Sequence, residues 1–236
     1  MNVEGKNAVA EALKSNATID VIMVEKGINH PIIAIARDKG IKLRFLDKNT
    51  MDKMSVTKRH QGFIAVTSDF EYCDVSDILD YAKSRNEDAF VVLLDGVEDP
   101  HNLGSVIRVC ECAGVHGVII PKHRSASVNE TVVKVSAGAT EHMRVARVTN
   151  INSAIEELQK AGVWVFCADM DGEDIYKTYL KGNVALVIGG EGSGVKKLTK
   201  QLCDKCIALP IRGKVNSLNA SVACGIVVYE ALRQRL

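Results

Sequence analysis

Three segments of this 236-residue chain place polar side chains and glycines directly after apolar runs, where open α/β sheets bind their ligands. In Leu94-Asp-Gly-Val-Glu-Asp-Pro-His-Asn102-Leu-Gly-Ser-Val-Ile-Arg108 an apolar run ends in an acid and a turn follows. Asn102 then falls where a helix N-cap is expected, with Arg108 about two turns further in. A carboxamide there caps the helix or holds a ligand, and a guanidinium there faces solvent or grips a phosphate. In Gly189-Gly190-Glu191-Gly192-Ser193-Gly194 four glycines in six positions let the backbone turn sharply and leave its amides free for a ligand. The run lacks the Lys-Ser/Thr ending of a nucleotide-binding P-loop and misses the GxGxxG spacing. In Ile207-Ala-Leu209-Pro210-Ile211-Arg-Gly-Lys-Val-Asn216-Ser217-Leu218-Asn219-Ala-Ser221 an apolar strand ends at Pro210, and Ser217 and Asn219 precede a long apolar helix. Capping accounts for one of these polar residues and not for all of them.

The elements that must position these residues can be read from apolar periodicity. Helices are expected near 7–15, 31–39 and 49–54, with strands at 19–24, 43–46 and 62–67, making a small α/β unit over residues 1–68. Ser68-Asp-Phe-Glu-Tyr-Cys73 breaks the pattern, so a linker is placed at 69–76 and a larger domain at 77–236. In that domain strands at 90–94, 117–120, 163–167 and 184–188 are apolar throughout. Helices near 74–84, 103–113, 128–136, 151–161 and 217–233 separate them, which predicts a mainly parallel sheet covered by helices on both faces.

Composition excludes other classes. With 47% hydrophobic and 25% charged residues the chain reads as globular and not disordered, and no apolar run approaches the roughly 18 residues of a membrane span. The opening Met1-Asn-Val-Glu-Gly-Lys6 lacks the basic-then-apolar pattern of a secretory signal, and seven cysteines within mostly apolar segments suit reduced thiols. A cytoplasmic protein is expected. Cys203-Asp-Lys-Cys206 supplies two of the four ligands of a structural zinc and no second pair follows, so no metal is expected. The net charge of +1 conceals a gradient: residues 1–60 carry eleven Lys/Arg against seven Asp/Glu, residues 69–100 two against ten, and residues 101–149 six against three. The two basic zones fit phosphate contacts.

Together, N-x-x-x-x-x-R, G-x-E-G and S-L-N-x-S-V-A, in this order, resemble the three signature motifs of the SpoU-type RNA ribose methyltransferases, in the SPOUT superfamily. The likeness spans residues 90–236. The first unit also resembles the RNA-binding domain of the bacterial ribosomal-RNA members, through Glu4-Gly5-Lys6-Asn7-Ala8-Val9 and His60-Gln61-Gly62. The resemblance implies S-adenosyl-L-methionine as methyl donor, structured RNA as substrate, a trefoil knot near the C-terminal end and a homodimer. It also implies a catalytic group of Asn102, Arg108, Glu191, Ser217 and Asn219, and a cofactor pocket lined by Gly189, Gly190, Leu209, Ile211 and Leu218.

The implied reaction is in-line attack of a ribose 2′-oxygen on the methyl of a sulfonium cation, which needs alignment and help with a poorly acidic proton. A guanidinium pKa above about 12 makes Arg108 a poor base, so a grip on the phosphate beside the target ribose is expected of it. Ser217 and Asn219 would position the hydroxyl, and Glu191 would pair with Arg108 or hold the loop. His60, His101 and His123 are read as RNA-facing or surface residues, and Lys122, His123, Arg124 and Arg144 as additions to the RNA surface. The expected substrate is ribosomal RNA, a 23S guanosine by the resemblance. The alternatives are transfer RNA with the same core, or a non-catalytic RNA-binding protein, which would have no reason to keep all five catalytic residues.

Overall fold

A computed structural model describes residues 2–14, 18–68, 70–192 and 194–236. Ser15, Asp69 and Ser193, from the expected first helix, linker and glycine run, lie outside the described residues. The chain divides into two compact units, Met1–Glu71 and Tyr72–Leu236.

In the first unit β1 (Asn2–Glu4), α1 (Lys6–Lys14), β2 (Thr18–Glu25), α2 (Pro31–Asp38), β3 (Lys42–Leu46), α3 (Lys48–Met54) and β4 (Phe63–Ser68) form a four-stranded sheet in the order β1-β4-β2-β3. Only β2 and β3 run parallel; β4 is antiparallel to both β1 and β2. Val9 and Leu13 of α1 and Ile32 and Ala36 of α2, each pair four residues apart, bury their side chains with Ile22, Val24, Phe63 and Ala65 of the sheet.

The second unit runs α4 (Val75–Ser84), β5 (Phe90–Asp95), α5 (Pro100–Cys112), β6 (Gly117–Pro121), α6 (Glu130–Ser136), β7 (Val145–Val148), α7 (Ile151–Lys160), β8 (Trp164–Asp174), β9 (Val184–Gly189), α8 (Lys197–Leu202), β10 (Lys205–Ala208) and α9 (Ala220–Arg235). The six strands are all parallel, in the order β10-β8-β9-β5-β6-β7. β5 lies between β9 and β6 and every one of its residues is buried, as a parallel strand covered on both faces requires. On α7 the residues Ile151, Ala154, Ile155 and Leu158 form one apolar stripe against that sheet.

Tyr72 and Cys73, within the expected linker, are hydrogen-bonded inside the second unit. The Val128 N–H donates to the Tyr72 hydroxyl at 2.8 Å, and the Cys73 N–H to the Val145 carbonyl at 3.0 Å. No helix among the described residues is long and apolar enough to cross a membrane.

Candidate active site

The site is built where β5 and β9 end. Asp99 caps α5, its Oδ1 accepting the His101 N–H at 2.9 Å, and Pro100 opens the helix, with no N–H to satisfy. The capping role expected of Asn102 is therefore corrected: it lies inside the first turn, buried, with its carboxamide free for other partners. Its Nδ2 donates to Glu191 Oε1 at 3.0 Å, and its Oδ1 accepts Asn219 Nδ2 at 2.9 Å. Asn219 Nδ2 also donates to the same Glu191 oxygen at 2.6 Å, which closes a ring of two carboxamides on one carboxylate. Asn219 is itself the N-cap of α9, its Oδ1 accepting Ser221 N at 3.0 Å and Val222 N at 3.3 Å. One cap fixes the helix and the orientation of the Nδ2 donor together. The helix starts at Ala220 and not at Ser217, so Ser217 has no part in capping.

The loop carrying Glu191 leaves no room for a side chain at Gly189 or Gly190. A Cβ on Gly190 would lie 2.1 Å from the Gly96 carbonyl oxygen, and one on Gly189 would lie 2.1 Å from the Gly194 carbonyl carbon. The two loops thus meet backbone to backbone, and the Gly190 N–H donates to the Asp95 carbonyl at 3.0 Å. The Asp95 carboxylate, wholly buried, accepts Lys196 N at 3.0 Å and Lys196 Nζ, fastening the far end of the loop. Asp95 and Lys196 were not picked out from the sequence. The signal was an acid closing an otherwise unbroken apolar strand. Asp95→Ala leaves the Lys196 amide without its partner and is expected to cost about 2 kcal/mol of unfolding free energy in urea titration. A variant as stable as the parent would remove Asp95 from this role.

The structure brings together three of the five expected catalytic residues. Arg108 lies six residues beyond Asn102 on α5, which turns it about 240° around the helix, and it is exposed with no hydrogen-bond or ion-pair partner among the described residues. Of the two roles expected of Glu191, pairing with Arg108 or holding the loop, the described residues show no contact with Arg108: Glu191 is engaged by Asn102 and Asn219. Ser217 stands in the exposed stretch 210–219, likewise without a partner among the described residues.

The segment that leads to Asn219 also walls a cleft of about 430 Å³, lined by Met170, Asp174, Leu209, Pro210, Ile211 and Asn216, with Gly172, Ala208 and Gly213 completing the wall. Asn216, on its wall, precedes Asn219 by three residues. The cleft exists because β8 bulges against β10: Cys167 pairs with Cys206, yet the next residue, Ile207, pairs with Glu173. Gly172 presses on the β10 backbone, where a Cβ would meet Ile207 N at 2.5 Å. Lys200 holds the bulge through Asp169 at 2.7 Å and Asp171 at 3.2 Å, and the Asp169 hydrogen bond raises the ammonium above its usual value. Of the residues expected to line a cofactor pocket, Leu209 and Ile211 are in this wall, while Gly189, Gly190 and Leu218 are not.

Two surface expectations are corrected. His60 is buried, its Nδ1 accepting the Gly62 N–H at 3.0 Å and its Nε2 meeting Asp52 at 2.9 Å, because it closes a loop of the first unit. Arg144 is half-buried with its guanidinium 3.4 Å from the Tyr81 ring centre, so stacking occupies it, whereas His101, Lys122, His123 and Arg124 are exposed.

An all-parallel α/β domain with polar groups gathered at its carboxyl strand ends, following a separate small unit in sequence, has the layout of a ligand-binding enzyme. Residues 89–229 match the SpoU rRNA methylase family and residues 2–73 the RNA 2′-O ribose methyltransferase substrate-binding domain, and the chain belongs to that family. It is 43% identical to a Bacillus subtilis protein assigned to the TrmH family of tRNA/rRNA methyltransferases, YacO, over 99% of this chain and 95% of that one. It is 40% identical to the 23S rRNA (guanosine-2′-O-)-methyltransferase RlmB of Xanthomonas campestris, over 99% and 96%. Among solved structures it shares the fold of the SpoU methyltransferase AviRb from Streptomyces viridochromogenes, with TM-score 0.63 at 23% identity over 100% of this chain and 90% of that one. An rRNA methyltransferase from Sinorhizobium meliloti gives TM-score 0.64 at 24% identity, over 100% and 87%.

Proposed function

We propose that the chain transfers a methyl group from S-adenosyl-L-methionine to the 2′-hydroxyl of a guanosine in 23S ribosomal RNA. The observation that carries the reading is the Asn102–Glu191–Asn219 ring, whose Asn219 follows the segment that walls the cleft. The cleft suits the donor. Its volume is in the range of small-ligand sites, Leu209, Ile211 and Met170 offer apolar contact for a flat base, and the Asp174 carboxylate can accept from ribose hydroxyls. AviRb and the Sinorhizobium enzyme were both crystallised with this cofactor. When bound, it supplies an electrophilic methyl and a neutral leaving group.

The chain's own residues then hold the acceptor. Asn219, fixed by the helix it caps, and Ser217 position the ribose hydroxyl. Glu191 keeps both carboxamides in place through Oε1, and its Oε2 accepts no hydrogen bond among the described residues. Arg108, exposed and without a partner among the described residues, grips the phosphate beside the target ribose, and the hydroxyl proton passes to solvent as the methyl is transferred. The 40% identical RlmB favours a 23S guanosine; the broader tRNA/rRNA description of YacO keeps transfer RNA as the second reading. Methylation of separate 23S and transfer-RNA transcripts distinguishes them.

The same reading includes a cytoplasmic homodimer and a trefoil knot. Val222 and Tyr229 are exposed on α9 and share a face with half-buried Ile226, which supports a partner subunit there. The return of residues 209–219 from β10 at the sheet edge to Asn102 on α5 supports the knot. Removing residues 1–71 is expected to leave cofactor affinity unchanged and to weaken RNA binding at least tenfold, with a shallower salt dependence, since the unit's cations no longer release counterions. Calorimetry and filter binding check the two halves. RNA binding undiminished by the truncation would remove the substrate role from that unit.

A further inference from the structure

The two segments of the first unit that resemble an RNA-binding domain are fastened to each other, and what they fix is a cationic loop. Glu4, at the end of β1, accepts Ser55 Oγ at 2.7 Å, Val56 N at 2.6 Å, Thr57 N at 3.0 Å and the Thr57 hydroxyl. These donors, the Thr57 hydroxyl foremost, hold its carboxyl down at about 2, so the carboxylate is ionised at every working pH. Gln61 Oε1 accepts the Lys6 N–H at 3.2 Å, and the Gly5 N–H donates to the Phe63 carbonyl at 3.0 Å. Within the loop, Ser55 Oγ accepts Lys58 N at 2.8 Å and Thr57 Oγ accepts Arg59 N at 3.2 Å.

His60 closes the loop's end. The Gly62 N–H donates to Nδ1, which therefore carries no proton, and Nε2–H is left to donate to Asp52. Lys58 and Gln61 adopt left-handed backbone, φ 55° and 49°, which non-glycine residues keep only when their surroundings enforce it.

The backbone N–H groups of residues 56–59 are thus all bonded within the unit, and the long side chains left exposed there are positive. Val56 is 84% exposed, and Lys6, Lys58 and Arg59 are exposed and form no ion pair among the described residues. A loop that buries no core side chain is held by six hydrogen bonds at residues 55–59, in a sequence with a net excess of four positive charges over residues 1–60. Fixing the backbone beneath two cations removes the backbone part of the ordering cost of placing them against a phosphodiester chain. We propose that the Val56–Arg59 loop, with Lys6 beside it, is the phosphate grip by which the first unit holds its RNA. The proposal rests on the RNA-methylating function given above and assigns the residues that would carry substrate binding in this unit.

The test is RNA affinity of the full chain as a function of salt, with an in vitro transcript of 23S ribosomal RNA as the probe. Lys58→Gln with Arg59→Gln removes two charges without touching the backbone bonds. It is expected to weaken binding about tenfold or more at 0.15 M salt and to reduce the slope of log affinity against log salt by about 1.4 to 1.8. The control, Arg37→Gln with Lys48→Gln, removes two exposed charges elsewhere on the unit, and its slope is expected to fall by less than half as much. Glu4→Gln keeps every loop cation but unfastens the loop, and is expected to weaken binding several-fold with circular dichroism and cofactor affinity unchanged.

If the two double variants lose affinity equally, the loop is ordinary surface charge and the proposal fails while the function stands. Binding of an acidic peptide in competition with the RNA, abolished by the same loop variant, would overturn the RNA assignment in favour of a protein partner. A parent chain that binds no RNA overturns both the loop assignment and the function.

Discussion

Arg108→Lys is expected to lower the single-turnover rate of methyl transfer by about 10- to 1,000-fold while cofactor affinity stays near that of the parent, and Arg108→Ala to lower it further. Lysine keeps the positive charge but loses the planar fork that matches a phosphate in two places. The structure gives the substitution little else to disturb, since Arg108 is exposed on α5 without a partner among the described residues. Stability should therefore be unchanged within about 0.5 kcal/mol. The pH dependence separates grip from base: a lost phosphate contact costs the same factor at every pH. A loss that disappears at high pH, where solvent removes the hydroxyl proton unaided, would make Arg108 the base.

The second large effect is expected at a residue with no side chain. Gly190→Val places a Cβ 2.1 Å from the Gly96 carbonyl oxygen and 2.8 Å from its carbon, and both belong to backbone that cannot swing aside. The loops leaving β5 and β9 must separate, at about 1–3 kcal/mol for the overpacking. Glu191 is the next residue, so the separation also displaces the carboxylate that Asn102 and Asn219 share. A displacement of about 1 Å is enough for a roughly 100-fold loss of rate. Gly213→Ala, where nothing lies within 4 Å of the added carbon, should leave folding intact. Thermal unfolding and single-turnover rates read both variants. A Gly190→Val protein with parental rate would show that the loop contact does not set the position of Glu191.

These two positions also show how far the sequence reaches. The central strands were legible because a parallel strand buried on both faces must be apolar, and β9 and β5 as far as Asp95 are. The edge of the sheet was less so. β7 is four residues long and interrupted by Arg147, α8 is a short and mostly polar helix, and β1 has three residues, so none carries a sustained period. The far half of β8 was missed because its bulge breaks the strand pattern that periodicity follows.

At the site, the residue types and their order were enough to gather candidates, but not to say which of them touch. Asn102, Glu191 and Asn219 are 89 and 28 positions apart and meet only because β9 lies beside β5 while α9 returns to α5. Asn102 looked like a cap because a carboxamide after a proline and a turn usually is one, and Asp99 had already taken that place. The missing side chains of Gly189 and Gly190, expected against a ligand, make room for neighbouring backbone.

The central claim is that a ribose 2′-oxygen receives the methyl group. It is tested by incubating the full chain with methyl-labelled S-adenosyl-L-methionine and a 23S transcript, then digesting the RNA with alkali, which cannot cleave next to a 2′-O-methyl ribose. The label is predicted to appear in an alkali-resistant dinucleotide whose first base is guanine, and to vanish when that single nucleotide carries a 2′-deoxyribose, with RNA affinity nearly unchanged. Label recovered in mononucleotides, on a base and not on the sugar, would contradict it.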